Sequence, residues 1–338
     1  MQVTKEGSVR VDLVGGTLDL EPINLILPNV VTLNVATSLK AKVVLDRSEF
    51  NGVEIVSSDY GKTYKFSSED FSQENLYSGD HFKEMSFVCQ ILDLFQARRN
   101  LKVTLSSGAP AGSGLGGSSA MGVTLYSALC EFFDQPYEIY EAVQKVKGTE
   151  GRILNQGVPG YQDYFPALTG GVLAIRGKAG ELEFEQLFSD ELKTYLESRM
   201  TLVYSGLSRN SGINNWEVYK AFFDKDPKIR AAMTNIAQIS YKAYKSIISR
   251  DFDSLLSLIG QEGEARVGLA PNIAPKEVIK IKSDLEEKFG KIGLKMCGAG
   301  GGGCFILTHS PEHKTLLKEE ISNLGMEVLD FCIDRPLQ

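Results

Sequence analysis

One glycine-rich segment, Pro110–Ala120, constrains what this chain can fold into more than any other part of the sequence. It reads PAGSGLGGSSA, so four glycines precede a pair of serines. The segment follows Leu101–Leu105, which alternates as a β-strand does, and leads into Ser118–Phe133, an apolar run typical of a helix. A strand, a glycine loop and a helix N-terminus in this order favour bound phosphate, because unpaired backbone N–H groups and the helix dipole attract anions.

Several kinds of glycine loop share parts of this pattern. The GxGxxG of dinucleotide-binding proteins is present, but that fold needs a second strand ending in an acidic residue. Here Glu131 and Asp134 still lie at the helix end, and another helix follows. A Walker loop is excluded, since Val56 stands where a glycine must precede Gly61–Thr63. A phosphate loop without lysine, whose serine helps to hold a metal ion, fits best, and a tight turn with a serine N-cap is the structural alternative.

A second glycine run, Gly298–Gly303, lies between two segments with β-strand character, the first ending in KMC and the second beginning with CFILT. Small residues cannot fill a core, and ordering glycines in an isolated hairpin is costly in entropy. We therefore predict that this run lets backbone approach a ligand closely, with Gly300 and Gly301 among the contacts. A flexible hairpin turn is the alternative.

A third segment, Val9–Leu20, reads VRVDLVGGTLDL. Together the three segments resemble, in order and in spacing, the three motifs of the GHMP kinases, the family of galactokinase, homoserine kinase, mevalonate kinase and phosphomevalonate kinase. The resemblance extends from Ser8 to about Thr308. In chain order, Val9–Leu20 is the first of these motifs. Its residues Arg10–Leu20, together with Gly160–Tyr164 and Tyr204–Arg209, are most similar to the sugar kinases around heptose 7-phosphate kinase.

The sequence departs from that branch at positions that the resemblance assigns to the substrate. One glycine of the first motif is missing, and Leu18 is inserted between Thr17 and Asp19. Tyr161 takes the place of the usual lysine before the Gln-Asp pair, and the second glutamine after that pair is absent. These departures concern the identity of the substrate and leave the expected reaction unchanged.

The resemblance implies an α+β fold of two-layer mixed sheets with helices, the GHMP kinase fold. This fold has an N-terminal ribosomal-protein-S5-like domain and a C-terminal ferredoxin-like α/β domain. With 338 residues, the chain is long enough for about two domains. We expect residues 1–190 to form the ATP-binding domain and residues 191–338 the C-terminal domain. Val30–Val35 and Lys40–Leu45 read as separate strands, and His81–Arg98 reads as a helix.

GHMP kinases transfer the γ-phosphoryl group of ATP to an alcohol, and the resemblance implies roles for individual residues here. Asp163 takes the place of the carboxylate that accepts the substrate hydroxyl proton, and Arg10 matches the basic residue beside it. Glu150 and Ser119, or Ser118 in its place, match the ligands of Mg²⁺. The residues implied to bind ATP are Pro110, Gly112, Ser113, Gly114, Leu115, Gly116, Gly117, Ser118 and Ser119.

The resemblance also implies a site for a small-molecule substrate, a sugar or sugar phosphate. Asp19, and Asp12 beside it, would accept hydrogen bonds from sugar hydroxyls. Arg209 would contact the substrate or a phosphate that it carries. The residues expected to bind the substrate are Asp12, Gly16, Thr17, Asp19, Gly160, Tyr161, Gln162, Arg209, Gly300 and Gly301.

These motifs predict an ATP-dependent kinase for a sugar or sugar phosphate, of the heptose 7-phosphate or hexose type. A kinase of the mevalonate type and a non-catalytic sensor that binds ATP and sugar are the alternatives. Glu150 and Asp163 favour the enzyme, because neither acid is needed for binding alone.

Composition narrows the choice of partners. The net charge is −7, from 36 basic and 43 acidic side chains, and the pI is near 5.3. Neither nucleic acid nor an anionic membrane surface is therefore an expected partner. Five scattered cysteines form no CxxC pair and read as reduced thiols, most of them buried, and the N-terminus lacks the pattern of a signal peptide. We expect a cytoplasmic protein that is a monomer or a homodimer.

Overall fold

The computed structural model describes residues 2–78, 80–153, 159–178, 181–207 and 215–337, which form two β-sheets and the helices packed on them. The strands are β1 (Gln2–Val14), β2 (Thr32–Arg47), β3 (Gly52–Ser57), β4 (Lys62–Ser67), β5 (Leu101–Ser107), β6 (Val172–Lys178), β7 (Glu181–Gln186), β8 (Met200–Tyr204), β9 (Gly293–Met296), β10 (Cys304–Thr308) and β11 (Glu327–Leu329). The helices are α1 (Ile23–Ile26), α2 (Gln73–Ser78), α3 (Ser86–Leu94), α4 (Gly117–Phe132), α5 (Ile139–Ile153), α6 (Phe165–Thr169), α7 (Asp190–Arg199), α8 (Asn215–Phe223), α9 (Pro227–Ile248), α10 (Phe252–Val267), α11 (Lys276–Phe289) and α12 (Lys314–Asn323).

The first sheet has seven strands, in the order β4-β3-β5-β2-β6-β7, with β1 paired along β2. β3 and β5 are parallel, and the other pairs are antiparallel. The prediction of two separate strands at Val30–Val35 and Lys40–Leu45 is wrong, because β2 runs without a break from Thr32 to Arg47. The apolar pattern breaks at Ser38, where the strand pairs with the C-terminal segment and the Ser38 N–H donates to the Cys332 carbonyl (2.8 Å).

The helices that frame the glycine loop form close to their predicted positions. α4 begins one residue before the predicted start at Ser118 and packs against β1, β2, α3 and α5. The helix predicted over His81–Arg98 is shorter, since α3 begins at Ser86 after a short 3₁₀ turn. β7 and α7 are absent from the sequence prediction, although the ELEFEQ alternation of β7 carries a strand signal.

The second sheet is antiparallel, in the order β11-β8-β10-β9, and α11 and α12 bury apolar side chains against it. α10 packs against β9 and also reaches β1, so this helix lies where the two sheets meet. Leu192, Leu196 and Leu202, which follow the first sheet in the chain, share its apolar core. The division of the chain at residue 190 stays a prediction.

Within the ranges given above, no helix has the length and apolar character needed to cross a bilayer. All five cysteines lie in those ranges, form no disulfide and are buried except for Cys332. This arrangement agrees with the prediction of reduced thiols that are mostly buried.

Candidate active site

The segment predicted to bind nucleotide, residues 110–119, is here called the nucleotide loop, and Arg10 holds its middle. Arg10 comes from β1 and is buried. Its backbone N–H donates to the Leu115 carbonyl (3.0 Å), and its guanidinium Nη1 donates to the Gly114 carbonyl (2.5 Å). Arg10 thus links the first motif to the nucleotide loop and fixes the conformation of that loop.

The nucleotide loop ends at the N-terminus of α4. Gly116 is the N-cap residue and no side chain caps it, so the serine-capped turn considered as an alternative does not form. The N–H groups of Gly117–Ser119 have no acceptor within the helix and create an anion-binding end. Gly112 is exposed at the start of the loop, where the Ser113 N–H closes a turn on the Pro110 carbonyl (3.1 Å). Strand, loop and helix end adopt the arrangement that the sequence predicts.

Two oxygen-bearing side chains meet just inside the N-terminus of α4. Ser119 is buried, whereas Ser118 is exposed, and the Ser119 hydroxyl donates to Glu150 Oε2 (2.7 Å). The Tyr164 hydroxyl donates to the same oxygen (2.6 Å), a partner that the sequence did not indicate. Burial raises the pKa of Glu150, and the charge of Asp163 adds to this effect. Hydrogen bonds from the hydroxyl groups of Tyr164, Ser119 and Ser118 offset part of it.

The pair formed by Ser119 and Glu150 fits Mg²⁺. Both groups offer hard oxygen atoms, and they lie at the anion-binding end of α4. Mg²⁺ commonly takes one or two carboxylates from a protein and completes its coordination with water and nucleotide phosphates. Ser118 is exposed and also contributes a side-chain hydrogen bond to Glu150, whereas Ser119 is buried and lies 2.7 Å from Glu150 Oε2, so the geometry favours Ser119 as the hydroxyl ligand.

Asp163 lies against the last residue of the nucleotide loop before α4. Its Oδ1 is 2.5 Å from Arg10 Nη2, and a Cβ atom added to Gly116 would lie 2.9 Å from its Cγ. The Asp163 side chain is 29% exposed and that of Arg10 only 3%, so a ligand can reach the carboxylate while the arginine supports it from behind. Burial opposes the charge on Arg10, but Asp163 and Asp12 outweigh burial and raise the pKa of Arg10.

Asp19 faces the segment that carries Asp163. Its Oδ2 accepts hydrogen bonds from the backbone N–H groups of Tyr161 (2.6 Å) and Gln162 (2.9 Å), and Gly160 packs directly against it. Its Oδ1 is buried and has no hydrogen-bond partner among the described residues. Burial raises the pKa of Asp19 to about 7, the two N–H donors oppose this, and the charge of Asp163 adds to it. A buried carboxylate oxygen without a donor suits a ligand hydroxyl.

Gln162 links the first motif to this segment. Its side-chain Nε2 donates to the Gly16 carbonyl (2.5 Å), and its backbone carbonyl accepts a hydrogen bond from Asn34 Nδ2 (3.0 Å). The loop that carries Asp19 is therefore tied to the segment that carries Asp163. Arg209 is also predicted to contact the substrate, and it lies outside the described residues.

A lysine that the sequence analysis missed lies beside Tyr161. The Tyr161 ring is buried, and its hydroxyl donates to Glu21 Oε1 (2.6 Å). Lys147 of α5 lies over the ring, with Nζ 4.3 Å from the ring centroid and 3.8 Å from Glu21 Oε2. Burial lowers the pKa of Lys147, and Glu21 and Asp19 offset part of that effect. An ammonium group is thus present next to the residue that replaces the motif lysine.

Asp12 and Thr17, both predicted to contact the substrate, have protein partners. Asp12 is fully buried, and its Oδ2 lies 2.8 Å from Lys295 Nζ and 3.4 Å from Arg266 Nη1. Burial would raise the pKa of Asp12, but Lys295 and Arg266 lower it. The Thr17 hydroxyl accepts a hydrogen bond from Arg266. These partners account for Asp12 Oδ2 and for the Thr17 hydroxyl, whereas Asp12 Oδ1 is buried and has no hydrogen-bond partner among the described residues. A direct substrate contact by either side chain stays a prediction.

The second glycine run packs on the nucleotide loop. The Cys304 N–H donates to the Ser113 carbonyl (2.6 Å), and a Cβ atom on Gly303, whose φ is +75°, would lie 2.6 Å from the same oxygen. Farther back in the run, the Gly301 N–H donates to the Ile273 carbonyl (2.8 Å). Close approach of backbone to backbone explains these glycines, and the predicted ligand contacts of Gly300 and Gly301 stay predictions.

Comparison of the chain with known proteins points to the same family as its motifs. The family model described as GHMP kinases N terminal domain matches residues 85–171, and that described as GHMP kinases C terminal matches residues 243–325. The D-glycero-alpha-D-manno-heptose 7-phosphate kinase of Campylobacter jejuni is 26% identical over 335 residues, which cover 97% of this chain and 95% of that protein. The L-fucokinase/L-fucose-1-P guanylyltransferase of Bacteroides fragilis is 25% identical over 90% of this chain, which spans 34% of that longer protein. The crystal structure of the mevalonate kinase of Methanococcus jannaschii has a TM-score of 0.76, at 17% identity and with 99% of both chains covered.

Fold, site and comparisons together define a phosphotransferase that acts on an alcohol group. The chain belongs to the GHMP kinase family, whose phosphate donor is ATP. The family, the fold and the class of enzyme predicted from the sequence are thereby confirmed.

Proposed function

We propose that this kinase transfers the γ-phosphoryl group of ATP to a hydroxyl of a sugar or sugar phosphate, of the heptose 7-phosphate or hexose type. The observation that carries the proposal is the placement of Asp163. Its carboxylate lies against Gly116, at the anion-binding end of α4, and is close enough to Asp19 to raise the pKa of that group. The heptose 7-phosphate kinase of Campylobacter and the Bacteroides fucokinase support a sugar as the acceptor.

Phosphoryl transfer depends mainly on positioning and on neutralising charge around the moving group. In this proposal the N–H groups of the nucleotide loop and of the first turn of α4 bind the ATP phosphates. Ser119 and Glu150 would hold Mg²⁺, which neutralises phosphate charge when bound. Tyr164 orients the Glu150 carboxylate by donating to Oε2 (2.6 Å).

Asp163 is the proposed general base, which accepts the proton of the attacking hydroxyl. Arg10 has two roles that follow from its contacts. Its ion pair orients the Asp163 carboxylate, and its hydrogen bonds to the nucleotide loop keep the loop and the base in register. The same guanidinium places positive charge next to the transferring phosphoryl group.

Asp19 is the proposed anchor of the acceptor. Two backbone N–H groups fix its Oδ2, so its Oδ1 has a defined direction from which to accept an acceptor hydroxyl. The nucleotide loop, Glu150 and Asp163 fall within residues 1–190, the proposed ATP-binding domain. α10, β9 and the second glycine run fall within residues 191–338, the proposed C-terminal domain.

An acceptor panel with matched variants tests the proposal. Release of ADP is measured with ATP, Mg²⁺ and free hexoses, heptoses, their 6- or 7-phosphates, and mevalonate. Asp163→Asn should lower kcat by about 10²-fold or more, because the proton acceptor is lost, while nucleotide affinity stays unchanged. Asp134→Asn is the control, since Asp134 is exposed at the opposite end of α4, a helix of 16 residues that is about 24 Å long at 1.5 Å per residue.

Transfer to a sugar or sugar phosphate by the wild type and by Asp134→Asn, with loss in Asp163→Asn, is the expected result. Transfer to mevalonate alone would assign the chain to the mevalonate type instead. If the kcat of Asp163→Asn equals that of the wild type, Asp163 is not the general base.

A further inference from the structure

Four charged side chains are buried together where the first motif meets the C-terminal half of the chain. They are Asp12 of β1, Glu262 and Arg266 of α10, and Lys295 of β9. Lys295 Nζ lies 2.8 Å from Asp12 Oδ2 and 3.5 Å from Glu262 Oε2, and Arg266 Nη1 lies 3.4 Å from Asp12 Oδ2. Two acids and two bases balance one another, which is the condition under which charges can stay buried.

The two residues of α10 also hold the loop of the first motif. Glu262 Oε1 accepts a hydrogen bond from the Gly15 N–H (3.1 Å), and Arg266 Nη2 donates to the Thr17 hydroxyl. Arg266 Nη1 reaches the Gly298 carbonyl in the second glycine run (3.3 Å). Positions four apart on a helix share one face. One face of α10 therefore holds both ends of the turn from Gly15 to Thr17.

This turn leads directly into Asp19. Its other side is fixed by Gln162, whose Nε2 donates to the Gly16 carbonyl (2.5 Å), and Asp19 itself is held by N–H groups of residues 161 and 162. The Asp19 carboxylate is thus placed by two supports, the segment beside the general base and the face of α10. The second support comes from outside all three family motifs.

We propose that Glu262 and Arg266 are positioning residues for the acceptor, acting through Gly15 and Thr17 on the direction of Asp19. Because Asp19 must bind the acceptor for this role, it rests on the proposed function. A purely structural role explains less, since buried ion clusters are often replaced by apolar residues without loss of stability. The directional hydrogen bonds to an N–H, a hydroxyl and a carbonyl need these particular groups.

Two variants, Arg266→Lys and Thr17→Val, are made singly and together. They distinguish a role in positioning the acceptor from a role in protein stability and from a direct contact between Thr17 and the substrate. The lysine keeps the charge but cannot present the planar set of donors that reaches Asp12, Thr17 and Gly298. Thr17→Val removes only the hydroxyl that Arg266 contacts. The control is Arg98→Lys, which makes the same change in a partly exposed ion pair with Asp93 (2.5 Å) at the end of α3.

The assay measures kcat and the KM values for ATP and for D-glycero-D-manno-heptose 7-phosphate, or for the best acceptor of the panel. Each single variant should raise the acceptor KM about tenfold, with the KM for ATP changed by less than about twofold. The double variant should be no worse than either single variant, because both changes remove the same support. Arg98→Lys should leave both KM values unchanged.

Several results would overturn the proposal. Acceptor and ATP KM values that rise together would indicate general damage, and effects that multiply in the double variant would make Thr17 a direct substrate contact. If Arg266→Lys does not fold, an unchanged acceptor KM in Thr17→Val is sufficient to reject the role. A wild-type protein that phosphorylates no acceptor would reject the proposed function first, and this role with it.

Discussion

The buried carboxyl group of Asp19 makes the stability of this protein depend on pH in a calculable way. Its pKa is about 7 in the folded chain, because of burial, against an ordinary value of 3.8. Between pH 3.8 and about pH 7, Asp19 keeps its proton in the folded protein and has released it in the unfolded chain. The free energy of unfolding therefore falls as pH rises through this range. The stabilisation is complete below pH 3.8 and is lost as pH rises through about 7. The linkage relation gives about 3 kcal/mol from this group at pH 5 and almost nothing at pH 8.

Asp19→Asn removes this titration while leaving a side-chain oxygen for the N–H groups of Tyr161 and Gln162. Urea unfolding of both proteins at pH 5 and pH 8 isolates the effect, because other titrating groups cancel in the difference. From pH 5 to pH 8 the variant should gain about 3 kcal/mol in free energy of unfolding relative to the wild type. The same difference at both pH values would refute the assignment of a raised pKa to a buried Asp19.

Two further changes probe the nucleotide side of the site. Glu150→Gln should raise the Mg²⁺ concentration for half-maximal activity by about tenfold or more, which is about 1.4 kcal/mol in binding, and an unchanged Mg²⁺ titration would exclude Glu150 as a ligand. Gly116→Ala should lower kcat by about tenfold or more, because its Cβ would lie 2.9 Å from Asp163 Cγ and displace the base. Gly112→Ala is its control, since Gly112 also has a positive φ (+69°) but open space around it, and equal losses in the two variants would contradict the steric explanation.

The parts of the site that the sequence predicted are those governed by local backbone chemistry. Glycines followed by serines and an apolar run indicate a loop that enters a helix, and α4 begins at Gly117. The second glycine run between two strands, β9 and β10, follows from the same reasoning. Local patterns do not reveal what a glycine approaches. Gly303 packs against the nucleotide loop, because the second sheet brings it there.

The parts that the sequence did not predict depend on contacts between residues far apart in the chain. Glu262 and Arg266 look like ordinary charged residues of a helix, and their partners in the first motif lie about 250 positions earlier. Lys295 carries a faint signal, since a lysine between apolar residues of a short strand needs a buried partner. No local pattern identifies that partner as Asp12, which the sequence suggested for the substrate.

Position 161 shows why the identity of the acceptor cannot be derived from the motifs alone. In the sequence a tyrosine replaces the family lysine, which indicates that a positive charge has been lost beside the substrate. In the folded chain the ammonium of Lys147 lies 4.3 Å from the centre of that tyrosine ring, on the same helix as Glu150 and one turn before it. A positive charge therefore lies beside position 161 but comes from another element, and its position relative to Asp19 depends on how α5 packs. Variants of Lys147 test the part of this charge in acceptor selection more directly than restoring a lysine at position 161.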